Sequence, residues 1–280
     1  PESIRGEVEL TRIESRCIHC GQCIEACPTG RLAALDAGAV DEAPECALCG
    51  TCAAVCPAEA RQIVGRSMTV EELLAEILRD RLFFDDSGGG VTFSGGEPLS
   101  QPDFLAAVLE ACKAEGVRTA VDTSGFCRRE DLLRVAPWTD LFLFDLKQMD
   151  DGRHRELTGV SNRRILENLA ALADAVAASG SVSAETRGGG EDRIRIRVPV
   201  IPGKNDDPEN LAAVARFVAS LPGVRRVDLL PYHPHGLGKL ERLGAPKPAE
   251  TIAPVDPAHL ELLAAVVRDA GLETLSPSEA

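Results

Sequence analysis

Between residues 17 and 56 the chain packs eight of its ten cysteines into two runs of identical spacing. The first, CIHCGQCIEACP, carries Cys17, Cys20, Cys23 and Cys27; the second, CALCGTCAAVCP, carries Cys46, Cys49, Cys52 and Cys56. Two-residue gaps let successive thiolates turn inward on one small loop, where they hold three corners of an iron–sulfur cubane and leave the fourth corner to a residue from elsewhere. Zinc suits the pattern poorly, because a tetrahedral site takes two cysteine pairs separated by a longer spacer. Structural disulfides suit it less, and such clustered thiols imply a reducing compartment. Pro28 and Pro57 close the runs and turn each fourth thiolate away from its own loop.

Both runs resemble the bacterial ferredoxin motif. In its paired form that motif implies two 4Fe-4S clusters with crossed fourth ligands: Cys17, Cys20, Cys23 and Cys56 on one, and Cys46, Cys49, Cys52 and Cys27 on the other. Residues 12 to 66 are cysteine-rich, internally duplicated and short of long apolar periodicity, so they read as a small ferredoxin-like domain set into a larger one. By itself this domain says only electron transfer. Cys112 and Cys127 stand apart from the runs and are expected as small buried hydrophobes.

From residue 67 to 280 the texture changes to alternation. Thr69 to Glu72 forms a capping box ahead of Leu73, Leu74, Ile77 and Leu78 on one helical face. β-rich runs at 91–93, 117–121, 141–144, 194–200 and 226–230 alternate with helical stretches: one capped at Ser100 with Asp103 three residues on, then 162–177, 207–221 and 256–270. The glycine-rich stretch from 181 to 192 reads as a surface loop. The fold class is therefore α/β, a partial (β/α)6 TIM-like barrel with an inserted ferredoxin-like domain, five strands being visible and residues 1 to 11 starting the barrel. Polar motifs follow each strand directly: Ser94 to Pro98, Asp122 to Gly125, Asp145 to Lys147, Pro202–Gly203 and His233. Strand C-termini are where such barrels collect their chemistry, so five of them feeding polar groups to one rim imply one shared site.

Charge removes other classes of function. A formal net charge of −14 and a pI near 4.9 leave nothing to drive counterion release from a phosphate backbone, so no nucleic-acid partner is expected. The longest apolar runs, such as 262–267, fall far short of the roughly 20 residues that span a bilayer, and no leader pattern opens the sequence. No membrane partner is expected, and the cytoplasm is the expected location.

The stretches GGGVTFSGGEPLSQ (88–101), VDTSG (121–125), DLKQMDDGRHRELTGVSN (145–162), IRVPVIPG (196–203) and LLPYH (229–233) resemble the activating enzymes of glycyl radical enzymes, such as the pyruvate formate-lyase activase. The resemblance covers nearly all of the barrel. It implies a radical S-adenosylmethionine enzyme that reductively cleaves its cofactor and abstracts a hydrogen from a glycine of a partner glycyl radical enzyme, under anaerobic conditions and with electrons from a flavodoxin- or ferredoxin-like donor. Carried over by position, Gly95, Gly96 and Glu97 take the methionyl ammonium. Asp122, Thr123 and Asp145 resemble a monovalent-cation site beside the cofactor carboxylate. Lys147, Arg197 and His233 resemble polar contacts to that carboxylate and to the ribose. Family members also carry a Cys-x-x-x-Cys-x-x-Cys loop for a third 4Fe-4S cluster, commonly followed by Asn-Pro-Glu-Ser. This sequence lacks that spacing and opens at Pro1-Glu2-Ser3. Truncation just after the last catalytic cysteine is the expected reason, with the catalytic cluster ligands upstream of Pro1 and no catalytic residue within the chain. The rival is a degenerate homologue without a third cluster. Two alternatives remain for function: an electron carrier on an inert scaffold, for which the rim motifs have no use, and a radical enzyme acting on a small molecule.

Overall fold

A computed structural model describes residues 8–179, 192–233 and 252–274. Contacts divide these residues into two compact units, one ending at Ser67 and the other beginning at Met68.

In the first unit, β1 (Glu9–Arg12) pairs antiparallel with β2 (Arg61–Val64), placing Arg12 opposite Arg61 and Leu10 opposite Ile63. Between them lie three short helices: α1 (Gln22–Glu25), α2 (Arg31–Asp36) and α3 (Thr51–Ala54). The duplication in sequence is a duplication in backbone. His19 and Leu48, at equivalent places in the two runs, have φ of 53° and 50°, and each is followed two residues on by a left-handed glycine, Gly21 or Gly50. A side chain in the left-handed region costs of order 1–3 kcal/mol and persists where the surroundings over-determine it. Both loops therefore adopt the same strained wrap. The apolar core beneath them is thin, with Ile13, Leu32, Cys52 and Ala60 buried.

The second unit is a parallel sheet of β3 (Gly90–Phe93), β4 (Arg118–Thr123), β5 (Leu141–Asp145), β6 (Ile194–Val200) and β7 (Arg226–Pro231), adjacent in chain order. Each expected run is a strand. Sequential order means that the connections wind one way and lay their helices on the same face. Those helices are α4 (Val70–Ile77), α5 (Arg81–Ser87), α6 (Pro102–Ala114), α7 (Arg129–Val135), α8 (Asp151–Thr158), α9 (Arg163–Ala178), α10 (Pro208–Ala219) and α11 (Pro257–Asp269). After α11 the chain returns to the sheet, where Glu273 bridges Arg226 in parallel beyond β7.

Strand alternation sorts the two faces of this sheet. Val121, Phe142, Phe144, Ile196, Val198 and Val227 point to the helices and are fully buried with Leu109, Leu132, Leu169, Leu172, Leu211 and Leu263. The intervening residues, among them Asp122, Asp145, Arg195 and Arg197, occupy the other face.

Caps set several helix boundaries. The Thr69 box is present in both directions, with Glu72 N donating to Thr69 Oγ1 at 3.2 Å and Thr69 N to Glu72 Oε2 at 2.9 Å. Asp207 and Asp256 each accept from the first turn of the helix they precede. The expected start at Ser100 is displaced. Ser100 closes a 3-10 turn over Pro98–Ser100, and α6 begins at Pro102, which has no amide to cap; Asp103 pairs instead with Arg134 at 2.7 Å. Asn162 precedes α9 without capping it, and its amide donates to the carbonyls of Gln148 (3.0 Å) and Met149 (2.7 Å), fastening the loop after β5. Apart from Asp192, the expected loop over 181–192 lies outside the described residues. Among the described residues no helix is long and apolar enough to cross a membrane.

Candidate functional site

The C-terminal rim of the sheet holds two hydrogen-bonded groups, one on each side of β4. The first centres on Glu97, in the turn after β3. Its Oε1 accepts from Thr123 Oγ1 at 2.6 Å and Leu99 N at 3.2 Å, and its Oε2 from Ser124 Oγ at 2.6 Å and Ser124 N at 3.0 Å. A carboxylate offers about four acceptor positions, so these donors use its capacity. Glu97 thus braces the Gly95–Gly96 turn against the end of β4. Gly125 permits the approach: its φ is +69°, and a Cβ there would lie 2.1 Å from the Phe144 ring. Asn168 of α9 holds the same loop from below, donating to the carbonyls of Gly125 (2.9 Å) and Cys127 (3.0 Å).

The second group lies on the opposite face. Arg197 of β6 donates from Nε (3.0 Å) and Nη2 (2.8 Å) to Asp145 of β5, and Nη2 also reaches Asp122 of β4. Ser94 Oγ donates to Asp122 at 3.0 Å, and Lys147 Nζ lies 3.8 Å from Asp145. Burial pushes the Asp145 carboxyl upward, and Arg197 and Lys147 pull it back. Burial works against the Arg197 charge, but the two carboxylates more than restore it and hold its pKa above the ordinary value.

The sheet therefore brings Asp122, Asp145, Lys147 and Arg197 together. Thr123, next to Asp122 on the strand, projects the other way, to Glu97, so the side-chain oxygens of Asp122, Thr123 and Asp145 do not converge. His233 lies exposed just beyond β7. Sequence reasoning missed Ser94, Ser124 and Asn168. The first two sit inside quoted motifs, and Asn168 is a polar residue on the buried face of a helix, beside Leu169 and Leu172. Cys112 and Cys127 are buried as expected, and Cys127 is pushed up to about 12 by burial and by the charges of Glu97 and Asp131. A cavity of about 650 Å³ opens at the other end of the sheet, among Gly90, Arg118, Leu141 and Arg193, and is lined by none of Gly95, Gly96, Glu97, Asp122, Thr123, Asp145, Lys147, Arg197 and His233.

In the first unit Cys27, Cys46, Cys49 and Cys52 line one small cavity, closed by Leu10, Leu32 and Ile63. This gathers the fourth cysteine of the first run with the first three of the second. Among the described residues no three His, Cys, Asp or Glu side chains converge tightly enough for a single ion; a cubane holds its thiolates farther apart than one tetrahedral ion does. Cys27 is lowered to about 7, chiefly by the backbone amide of Leu32 and then by the Thr29 hydroxyl. Burial pushes Cys52 the other way. Four cysteines around one cavity, an apolar wall and a repeated strained loop fit a 4Fe-4S cube.

The radical SAM superfamily model matches residues 46–215, and a 4Fe-4S binding domain model matches residues 10–30. The choline trimethylamine-lyase activating enzyme of Oleidesulfovibrio alaskensis is 36% identical over 275 residues, covering 96% of this chain and 84% of that one. The chain belongs to the glycyl radical enzyme activating enzymes of the radical SAM superfamily. The isethionate sulfite-lyase activating enzyme of Nitratidesulfovibrio vulgaris is 38% identical, over 95% of this chain and 83% of its own length. Among solved structures, a domain of pyruvate-formate lyase-activating enzyme from Bacteroides vulgatus is 33% identical with a TM-score of 0.52, covering 67% of this chain and 98% of that domain. A radical SAM methyltransferase from Sphaerobacter thermophilus, at 20% identity and a TM-score of 0.55, shares the fold. As an activating enzyme the chain is of oxidoreductase type, uses 4Fe-4S and S-adenosylmethionine, and acts on a glycyl radical enzyme.

Proposed function

We propose that the rim formed by Gly95, Gly96, Asp122, Asp145, Lys147, Arg197 and His233 seats S-adenosylmethionine, and that the first unit carries two 4Fe-4S clusters with crossed ligands. One is held by Cys17, Cys20, Cys23 and Cys56, the other by Cys46, Cys49, Cys52 and Cys27. The observation that carries the rim is Arg197, fixed between Asp122 and Asp145 on the sheet face away from the helices. A charged trio brought together from three strands stabilises a fold poorly unless it also does something. When bound, the third 4Fe-4S cluster expected of the family and the sulfonium would supply the one-electron chemistry that ends in removal of an α-hydrogen from a glycine of the partner, and the two clusters of the first unit would pass electrons to it.

The chain's own groups bind and orient. With Glu97 engaged by four donors, the backbone carbonyls of Gly95 and Gly96 are left to accept from the methionyl ammonium, which can come close because neither residue has a side chain. Lys147, 3.8 Å from Asp145, keeps donors for the cofactor carboxylate. His233 contributes at the ribose. A monovalent cation would share Asp122 and Asp145 with Arg197, so here the guanidinium supplies the positive charge beside the carboxylate. The clusters of the first unit take electrons from a flavodoxin- or ferredoxin-like donor in an anaerobic cytoplasm.

Titration calorimetry of S-adenosylmethionine into the anaerobically reconstituted full-length enzyme tests the rim. Lys147→Met should weaken affinity at least tenfold, about 1.4 kcal/mol, while iron content stays at the wild-type value. Unchanged affinity would place the carboxylate elsewhere. Formation of the partner's glycyl radical, read by electron paramagnetic resonance, tests the activity.

A further inference from the structure

The two cysteine sets are alike in spacing and unlike in what donates to their sulfurs. Cys46 receives the Leu48 amide at 3.4 Å, while Cys49 and Cys27 lie 3.3 and 3.6 Å from the hydroxyls of Thr51 and Thr29. These donors, all around the second set, are neutral. In the first set Cys56 also takes a neutral donor, the Ala60 amide at 3.2 Å, but Cys17 takes a charged one: Arg12 Nη2 lies 3.4 Å from its Sγ.

Arg12 has a second feature. It ends β1 directly opposite Arg61, the first residue of β2. Residues directly opposite in an antiparallel pair share a face, and like charges there are destabilising. Glu14, 2.8 Å from Arg12, offsets part of that repulsion. Both arginines are attached where the first set sits, since Arg12 is five residues before Cys17 and Arg61 five after Cys56. A like-charge pair held at one end of a two-stranded ribbon is explained by an anion beside it, and a cubane with four thiolates is such an anion. Hydrogen bonds to sulfur and nearby positive charge both favour the reduced, more negative cluster and raise its potential.

We infer that Arg12, backed by Arg61, holds the reduction potential of the cluster on Cys17, Cys20, Cys23 and Cys56 above that of its twin. This rests on the crossed ligand sets proposed above. An electron delivered to the first unit then comes to rest on the Arg12 side.

The test is a redox titration of the reconstituted full-length enzyme, followed by electron paramagnetic resonance, with Cys20→Ala identifying the first cluster's signal. Arg12→Leu should cut that cluster's reduction equilibrium constant about tenfold, ~59 mV for one electron, and leave the other in place. Arg61→Leu should lower the same potential by less. Arg12→Lys should recover most of the loss. Should Arg12→Leu lose iron, Arg12→Gln keeps an N–H donor without charge and should show an intermediate fall. An unmoved Cys20-dependent potential in Arg12→Leu, or a shift confined to clusters that survive Cys20→Ala, would overturn the inference. Iron content separates the two failures: a wild-type first unit that does not take up about eight irons defeats the two-cluster reading itself.

Discussion

The two units of this chain are stabilised by opposite means. The second buries a continuous apolar layer between a parallel sheet and its helices, with Phe142, Phe144, Leu169, Leu172, Leu211 and Leu263 fully enclosed. The first has a two-stranded ribbon, three short helices and strained loops over a thin core. A two-stranded ribbon is marginal in water by itself, so the bonds from thiolate to iron must supply what the core does not. Where metal holds the structure, sequence is spent on ligand spacing; where a core holds it, sequence is spent on periodicity.

Removing iron is the strongest way to break this comparison. Chelation under reducing conditions should collapse protection across residues 9–64 in hydrogen exchange while the strands of the second unit stay protected. Equal loss in both would mean that they share one stabilising source. The converse experiment is Phe144→Ala. It empties a fully buried site and should cost about 3–5 kcal/mol in the second unit, read by denaturant unfolding, with iron content unchanged. Arg197→Leu comes next. It leaves Asp122 and Asp145 facing each other without their shared cation, a loss of about 3 kcal/mol, the low end for a broken buried pair because these side chains are about 20% exposed. Without Arg197 to pull it down, the buried Asp145 carboxyl should rise further, so the variant should recover stability as pH falls, and S-adenosylmethionine affinity should drop with it. A variant as stable as wild type at pH 7 would show that solvent already screens the trio.

What was legible in the sequence was whatever depends on neighbours along the chain. The five strand runs, the Thr69 box and the Asp207 and Asp256 caps are local patterns, and each is present. The cysteine runs were legible because ligand spacing is local too. Asp151–Thr158 was missed because the segment is polar all round and buries little beyond His154. Ser100 misled because the prolines at 98 and 102 move the cap to Gln101 and the helix start one residue on. Apart from the nearby Leu99 amide, the partners of Arg197 and Glu97 lie 26 to 75 residues away, and spacing cannot say that a guanidinium stands between two carboxylates or that a carboxylate is already fully engaged.

The smallest expected effect separates the units by pH. Burial first, then Glu97 and Asp131, push the Cys127 thiol up to about 12 from an ordinary value of 9.0. Burial alone pushes Cys112 in the same direction. Below pH 9 both thiols are neutral in the folded and unfolded chain alike and contribute nothing to pH dependence. Above it the unfolded chain gives up the Cys127 proton while the folded one retains it, so the second unit loses stability by about 1.4 kcal/mol per pH unit. In the first unit Cys27 is shifted the opposite way, to about 7, so its thiolate is favoured in the folded form and lost as pH falls through that value. Alkylation kinetics should separate the two units: in the iron-free chain at pH 8, where the first unit has lost its fold, Cys27 reacts with iodoacetamide while Cys127 stays unmodified until the sheet unfolds. Prompt labelling of Cys127 at that pH would mean that the loop joining Glu97, Ser124 and Asn168 opens without global unfolding, and the brace assigned to Glu97 would fail with it.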